Sequence, residues 1–239
     1  METPRPYAAF DIDGTIIRWQ LYHALNDALV KRGLIDAKAF ATVREARMSW
    51  KRRTGDDAFS AYESEMVRVF DEHLPKLRYE DVKTVTDTVI DEYKDQVYTF
   101  TRDLLRELKS EGYLLFAVSG SPKFIVDPLA KHYGFDDAVG TYYSVENGIF
   151  TGDKDLSMGR KPELLRKLIT KYGAISTGSV AVGDSGGDAS MLDMVEQPIA
   201  FNPDKKLFHH AKEQGWKVVV ERKNMVYKLE PKSGSYLLA

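Results

Sequence analysis

The chain has 239 residues, enough to bury a substantial core either as one large domain or as a core carrying a smaller insert. With 34 basic and 36 acidic side chains its formal charge is −2, so no global field draws it onto nucleic acid or an anionic membrane. The absence of cysteine excludes disulfides, thiolate metal sites and a thiol nucleophile, while 43% hydrophobic and 29% charged residues fit a folded globular protein.

The N-terminal stretch METPRPYAAFDIDGT carries no apolar signal-like segment. Apolar runs elsewhere fall far short of the roughly 20 residues that span a bilayer. The expectation is a soluble, cytoplasmic protein with neither nucleic acid nor membrane among its partners; its oligomeric state is not legible.

In chain order, Tyr7 to Phe10 is a short apolar run ending in Asp11, Asp13, Gly14 and Thr15, the pattern of a buried strand opening into a polar loop. Residues 18–96 then show apolar positions at helical spacing and no strand. Leu21, Leu25, Ala28 and Leu29 mark one face, Phe59, Tyr62, Met66 and Phe70 a second, and Val82, Val85, Val89 and Ile90 a third. Strands are expected at Tyr113–Val118, Val180–Val182, Pro198–Phe201 and Lys217–Val220. Helices are expected at Phe124–His132, Glu163–Lys171, Ala189–Val195 and Leu207–Glu213. Asn147-Gly148 suits a tight type I′ hairpin turn. There is no internal repeat or low-complexity segment. The alternation of strand and helix predicts an α/β fold, a doubly wound, Rossmann-like parallel sheet covered by helices on both faces. Residues 1–17 and 97–239 form its core domain and 18–96 an inserted helical domain.

Asp11, Asp13, Ser119 and Asp184 each follow a predicted strand, and Lys161 and Asp188 lie in neighbouring loops or helix starts. In open α/β sheets the loops at the carboxyl ends of the strands form the ligand crevice, so these residues should converge. Taken singly, each motif also suits a polar turn, a helix cap or a surface lysine; it is their joint placement that points to chemistry. Phosphoryl transfer needs an in-line oxyanion nucleophile, a cation against the developing charge and a proton donor for the leaving oxygen. Asp11 can supply the nucleophile and form an acyl phosphate. Asp13 can serve as general acid and then base. Ser119 and the Gly120 amide can donate to phosphate oxygens, and Lys161 offers fixed positive charge. Magnesium prefers oxygen ligands, which Asp11, Asp184 and a carbonyl of the first loop can provide, with Asp188 binding the metal or orienting its waters.

The segments DIDGT, VSGS, Lys161 and GDSGGD resemble the four motifs of the haloacid dehalogenase superfamily in their usual order, over Tyr7 to about Arg222. The helical insert resembles the type 1 cap of the phosphoserine-phosphatase-like branch, subfamily IB. The segment Ala200-Phe201-Asn202-Pro203-Asp204, with Leu207 and Gly215-Trp216, is also similar to bacterial members of that branch. This resemblance implies Asp11 as nucleophile, Asp13 as acid/base, Ser119 and Lys161 as phosphate ligands, and Asp11, Asp184 and the Asp13 carbonyl as magnesium ligands, with Asp188 as the last acid of the fourth motif. It further implies a small phosphorylated metabolite as substrate, amino-alcohol phosphates such as histidinol phosphate included. Two positions depart from the pattern. Gln20 stands where phosphoserine phosphatases place a glutamate that reads the substrate ammonium, which weakens phosphoserine as the substrate. Gly187 stands where related phosphatases often carry asparagine.

Arg44, Arg47, Lys51, Arg52 and Arg53 read as a solvated face, or as selectors of an acidic leaving group. Trp19, His23, Met48 and Trp50 read as packing within the insert. His209 and His210 carry no metal-ligand pattern. Transfer of the phosphoryl group to a sugar hydroxyl, as in a phosphotransferase or phosphomutase, and a catalytically silent phospholigand-binding protein are the other functions these motifs allow.

Overall fold

The computed structural model describes residues 4–232 and 235–238. In chain order the elements are β1 (Pro6–Phe10), α1 (Leu21–Lys31), α2 (Ala41–Lys51), α3 (Ala58–His73) and α4 (Tyr79–Tyr93). There follow α5 (Thr99–Ser110), β2 (Leu114–Pro122), α6 (Lys123–Tyr133), β3 (Asp137–Glu146), β4 (Ile149–Asp155), α7 (Lys161–Tyr172) and β5 (Ile175–Gly183). The chain continues through the short α8 (Ala189–Leu192), β6 (Gln197–Phe201), α9 (Lys205–Gln214), β7 (Lys217–Arg222), β8 (Met225–Lys232) and β9 (Ser235–Leu238). The described chain divides into two compact units: residues 1–20, 93–141 and 156–239 form one, residues 21–92 and 142–155 the other.

The first unit is built on a sheet ordered β3-β2-β1-β5-β6-β7-β8-β9. Its strands are parallel as far as β7, and β8 and β9 are added antiparallel. The inner strands read as unbroken apolar runs because both faces are covered: Tyr7 to Phe10 and Leu114 to Val118 are all buried. One core cluster joins Tyr7, Phe116, Leu165, Met191, Leu207 and Val218 from strands and helices alike. The helices are held by amphipathic spacing. α5 buries Thr101, Leu105 and Leu108, and α7 buries Leu165 and Leu168. The order of strands places a topological switch at β1, which leads to β2 on one side and pairs with β5 on the other, so a crevice opens beyond their carboxyl ends.

In the second unit, every helical face expected from the sequence contributes to the core. Leu21, Leu25 and Leu29, Tyr62, Met66 and Phe70, and Val82, Val85, Val89 and Ile90 are all buried. The ring of Phe70 meets Tyr22 edge-on at 5.2 Å and Tyr143 at 5.7 Å.

Several expectations are corrected. The 145–149 hairpin groups with the helical unit rather than with the 97–239 segment, because the Tyr79 amide donates to the Gly148 carbonyl at 2.9 Å and the Phe150 amide to Leu77 at 3.4 Å. Its turn has the expected form, with positive φ at both Asn147 and Gly148. β2 runs on through Ser119 to Pro122, with its register against β3 shifting after Val118. α8 stops at Leu192, short of the Val195 that the periodicity suggested. Trp19 and Met48 are close to half exposed, so neither is a core residue.

Candidate active site

The loop after β1 is a tight turn in which the Ile12 carbonyl accepts from the amides of Ile16 and Ile17 at 2.9 and 3.0 Å, while the Asp11 amide donates to Val182 of β5 at 3.0 Å. Gly14 adopts φ +80°, and a Cβ there would lie 2.1 Å from Asp184 Oδ2. Only glycine satisfies both demands, so the first and fourth motifs can close on each other.

Asp11, Asp184 and Asp188 each present a carboxylate oxygen, and these oxygens lie within 4.8 Å of one another. Lys161 Nζ donates to Asp11 Oδ1 at 2.7 Å and also to Asp188 Oδ1. Asp188 is fully buried, and its other oxygen accepts from the Ser185 amide at 3.0 Å, the Ser185 hydroxyl at 2.9 Å and the Asp184 amide at 3.2 Å. Asp188 therefore shapes the fourth loop with one oxygen and holds the lysine with the other. Lys161 is the first residue of α7, where a cation opposes the helix dipole. The pairing with two buried carboxylates offsets that conflict, a breach of local preference of the kind expected where function fixes a residue.

The electrostatics follow from burial. Desolvation pushes the Asp11 carboxyl up to about 7, with Lys161 pulling the other way and Asp188 adding to the rise. Asp184 is raised well above the carboxylate range by burial, then by Asp11 and Asp188. Burial alone would lower Lys161, but the two carboxylates outweigh it and its ammonium is held. Were all three carboxylates ionised, the single ammonium would leave a local formal charge of −2, a deficit that a divalent cation would cancel. An all-oxygen donor set with that deficit fits magnesium.

Asp13 is linked to the second motif, since Ser121 Oγ donates to Asp13 Oδ2 at 2.6 Å. Ser119 is buried at the same strand end, with its Oγ accepting from the Ser121 amide at 3.0 Å. Around them the Thr141 hydroxyl donates to the Gly120 carbonyl at 2.9 Å and the Ser157 hydroxyl to the Ser119 carbonyl at 2.7 Å. Gln20 is half-buried just before α1 and does not join these contacts. The expected residues Asp11, Lys161, Asp184 and Asp188 thus share one cluster, and Asp13, Ser119 and Gly120 share a hydrogen-bonded strand end.

Sequence reasoning missed Thr141 and Ser157, and it assigned no role to Ser121 or Asp204 although both lie in segments that carry the resemblance. Ser121 carried a signal, because residues two apart on a strand share a face and it follows Ser119 at that spacing. Asp204 caps α9 by accepting from the Leu207 amide at 2.7 Å, and it accepts from the Gly186 amide at 3.1 Å, so it ties the fourth loop down. Of the basic run on and just after α2, Arg44, Lys51, Arg52 and Arg53 are exposed, and Arg47 bonds Asp27 and the Tyr62 hydroxyl. His210 lies 3.0 Å from Asp193 on the surface. Among the described residues, no helix is long and apolar enough to cross a membrane.

A family model described as haloacid dehalogenase-like hydrolase matches residues 8–193. The chain is 28% identical over 223 residues to the "Inhibition of morphological differentiation protein" of Streptomyces azureus, covering 90% of this chain and 78% of that one. It is 26% identical over 222 residues to the histidinol-phosphatase of Neisseria meningitidis, covering 89% and 97%. A solved structure described as a phospho-aspartyl intermediate analogue of phosphoserine phosphatase superposes with TM-score 0.63 over 92% of this chain and 95% of the other, at 21% identity.

Proposed function

Because the chain belongs to the haloacid dehalogenase-like hydrolase family, we propose that it is a magnesium-dependent phosphatase that hydrolyses a small phosphorylated metabolite through an aspartyl phosphate on Asp11. The observation that carries this reading is the group of Asp11, Asp184 and Asp188 at the carboxyl ends of β1 and β5, with Lys161 Nζ between the buried Asp11 and Asp188. The Neisseria meningitidis relative, matched over nearly its whole length, is named for the hydrolysis of a phosphomonoester.

The division of labour follows from the side chains. An Asp11 oxygen attacks phosphorus as the bond to the leaving oxygen breaks, and a proton on Asp13 passes to that oxygen, which departs as an alcohol. Water then attacks the acyl phosphate, giving its proton back to Asp13, and Asp11 is released with inorganic phosphate. Lys161 orients Asp11 and favours its ionised form against the effect of burial, and places positive charge beside the phosphoryl oxygens. Ser119 and the Gly120 amide hold the phosphate against rotation. Asp11, Asp184 and the Asp13 carbonyl would hold magnesium, with Asp188 directly or through water. When bound, the metal supplies charge neutralisation between nucleophile and phosphate. The protein works in the cytoplasm on this account, and Gln20 at the ammonium-reading position argues for a substrate other than phosphoserine.

Replacing Asp11 by Asn should abolish phosphate release from a panel of phosphorylated metabolites while leaving the melting transition in place. Undiminished magnesium-dependent turnover by that variant refutes the assignment.

A further inference from the structure

We propose that Ser121 is a positioning residue for the acid/base step: its hydroxyl fixes the Asp13 carboxyl in place for the proton exchange with the leaving group and then with water. The inference rests on the phosphatase reading of the site and adds to it a role for Ser121, the last residue of the VSGS segment, which the resemblance left without one.

The geometry is specific. Ser121 is buried, and its Oγ donates to Asp13 Oδ2 at 2.6 Å across 108 positions of sequence. A serine hydroxyl has one proton, and Ser121 gives it to Asp13, so it is not simultaneously available to a phosphate oxygen. That separates it from Ser119, whose Oγ accepts from the Ser121 amide and keeps its own proton to donate. The hydroxyl therefore serves the Asp13 carboxyl and not the phosphate.

The donor is itself held firmly. The Thr141 hydroxyl secures the carbonyl of Gly120, the Ser157 hydroxyl secures that of Ser119, and the two hydroxyls lie 3.0 Å apart. A Cβ at Gly140 would lie 2.8 Å from the Ser121 carbonyl oxygen, so β3 packs directly against this backbone. The strand end is therefore tied by hydrogen bonds and close packing, and the Asp13 carboxyl is hydrogen-bonded to this tethered group. Proton transfer is steeply sensitive to such placement.

The step affected is the first one, in which the Asp11–phosphorus bond forms, the phosphorus–leaving-oxygen bond breaks and the Asp13 proton moves to the departing oxygen. A poor leaving group needs that proton and an activated one hardly does. The test compares kcat/KM for an alkyl phosphate and for para-nitrophenyl phosphate in wild type, Ser121→Ala and Ser121→Thr. In Ser121→Ala the alkyl-to-aryl ratio should fall by about tenfold or more, within the roughly 10²–10⁴-fold that general acid catalysis supplies. Ser121→Thr keeps the hydroxyl and should restore the ratio. A merely structural role lowers both substrates in parallel; a parallel loss, or an unchanged ratio, in the Ala variant overturns the proposal while leaving the phosphatase reading intact. If Thr does not fit, which a melting curve reveals, the Ala ratio alone decides. Wild-type protein without turnover on either substrate overturns both.

Discussion

The two units bury polar groups in opposite ways. In the first, charge is paired: Lys161 keeps its ammonium between Asp11 and Asp188, even though burial raises the carboxyls of Asp11 and Asp184. In the second, charge is shed. His23 on α1 is buried against Tyr62, with ring centroids 4.8 Å apart, and its Nε2 has no hydrogen-bond partner among the described residues. Burial, with Arg47 adding to it, pushes that imidazole down to about 3, so it is neutral. A buried imidazole is tolerable in a core when it can discharge itself, even with Glu63 Oε1 4.0 Å from its Nε2; a buried ammonium is retained where carboxylates pair it and its charge has chemical use.

The sharpest way to break this contrast is to remove the cation. Lys161→Met leaves Asp11 and Asp188 facing each other without compensation, which should cost about 3–5 kcal/mol of stability, the usual consequence of breaking a buried pair. Its kcat should fall by roughly 10²–10³-fold, as on losing a fixed electrostatic group. A variant that melts normally and turns over at the wild-type rate would show that the charges are not in balance as described. Denaturation curves with steady-state rates make the comparison.

The next test uses pH and metal. Asp11 rises from an ordinary 3.8 to about 7 on folding, so the metal-free native state binds more protons than the unfolded chain across that window. Stability contributed by Asp11 is therefore fully present below about pH 4 and is lost as pH rises through 7. Magnesium reverses the loss by binding the ionised form. At about 100 times its Kd it should add about 2.7 kcal/mol at neutral pH or above, and much less at pH 5. Calorimetric melts with chelator and with magnesium, at both pH values, read this directly; equal shifts at both would contradict it.

The smallest effect lies in the helical unit, and its sign is opposite. His23 falls from 6.5 to about 3 on folding, so its contribution is present above pH 6.5 and is lost as pH drops towards 3. In His23→Gln the stability-versus-pH curve should lose its decline in that acid range. An unchanged slope would mean that His23 is not held neutral.

Legibility in the sequence differs between the units as well. Asp11 and Asp184 could be placed together because each follows a strand end, with Lys161 and Asp188 entering from neighbouring loops or helix starts, and the switch at β1 does the gathering. The helical faces were legible from spacing alone, as Val82, Val85 and Val89 demonstrate. Long-range pairing was not. β3 has mixed burial and pairs parallel with β2 at one end and antiparallel with β4 at the other, so it shows no clean period. β8 and β9, largely exposed, lack the apolar run that marks an inner strand. Ser121 escaped for a related reason, since its partner Asp13 lies across the sheet and only the folded register brings them within 2.6 Å.

The account depends on Asp11 becoming phosphorylated. Rapid mixing of enzyme and a turned-over phosphomonoester, followed by acid quench and peptide mass mapping, should find a phosphoryl group on the peptide containing Asp11, absent from Asp11→Asn. Turnover proceeding with no covalent adduct at any quench time, or with the phosphoryl group on another residue, would contradict it.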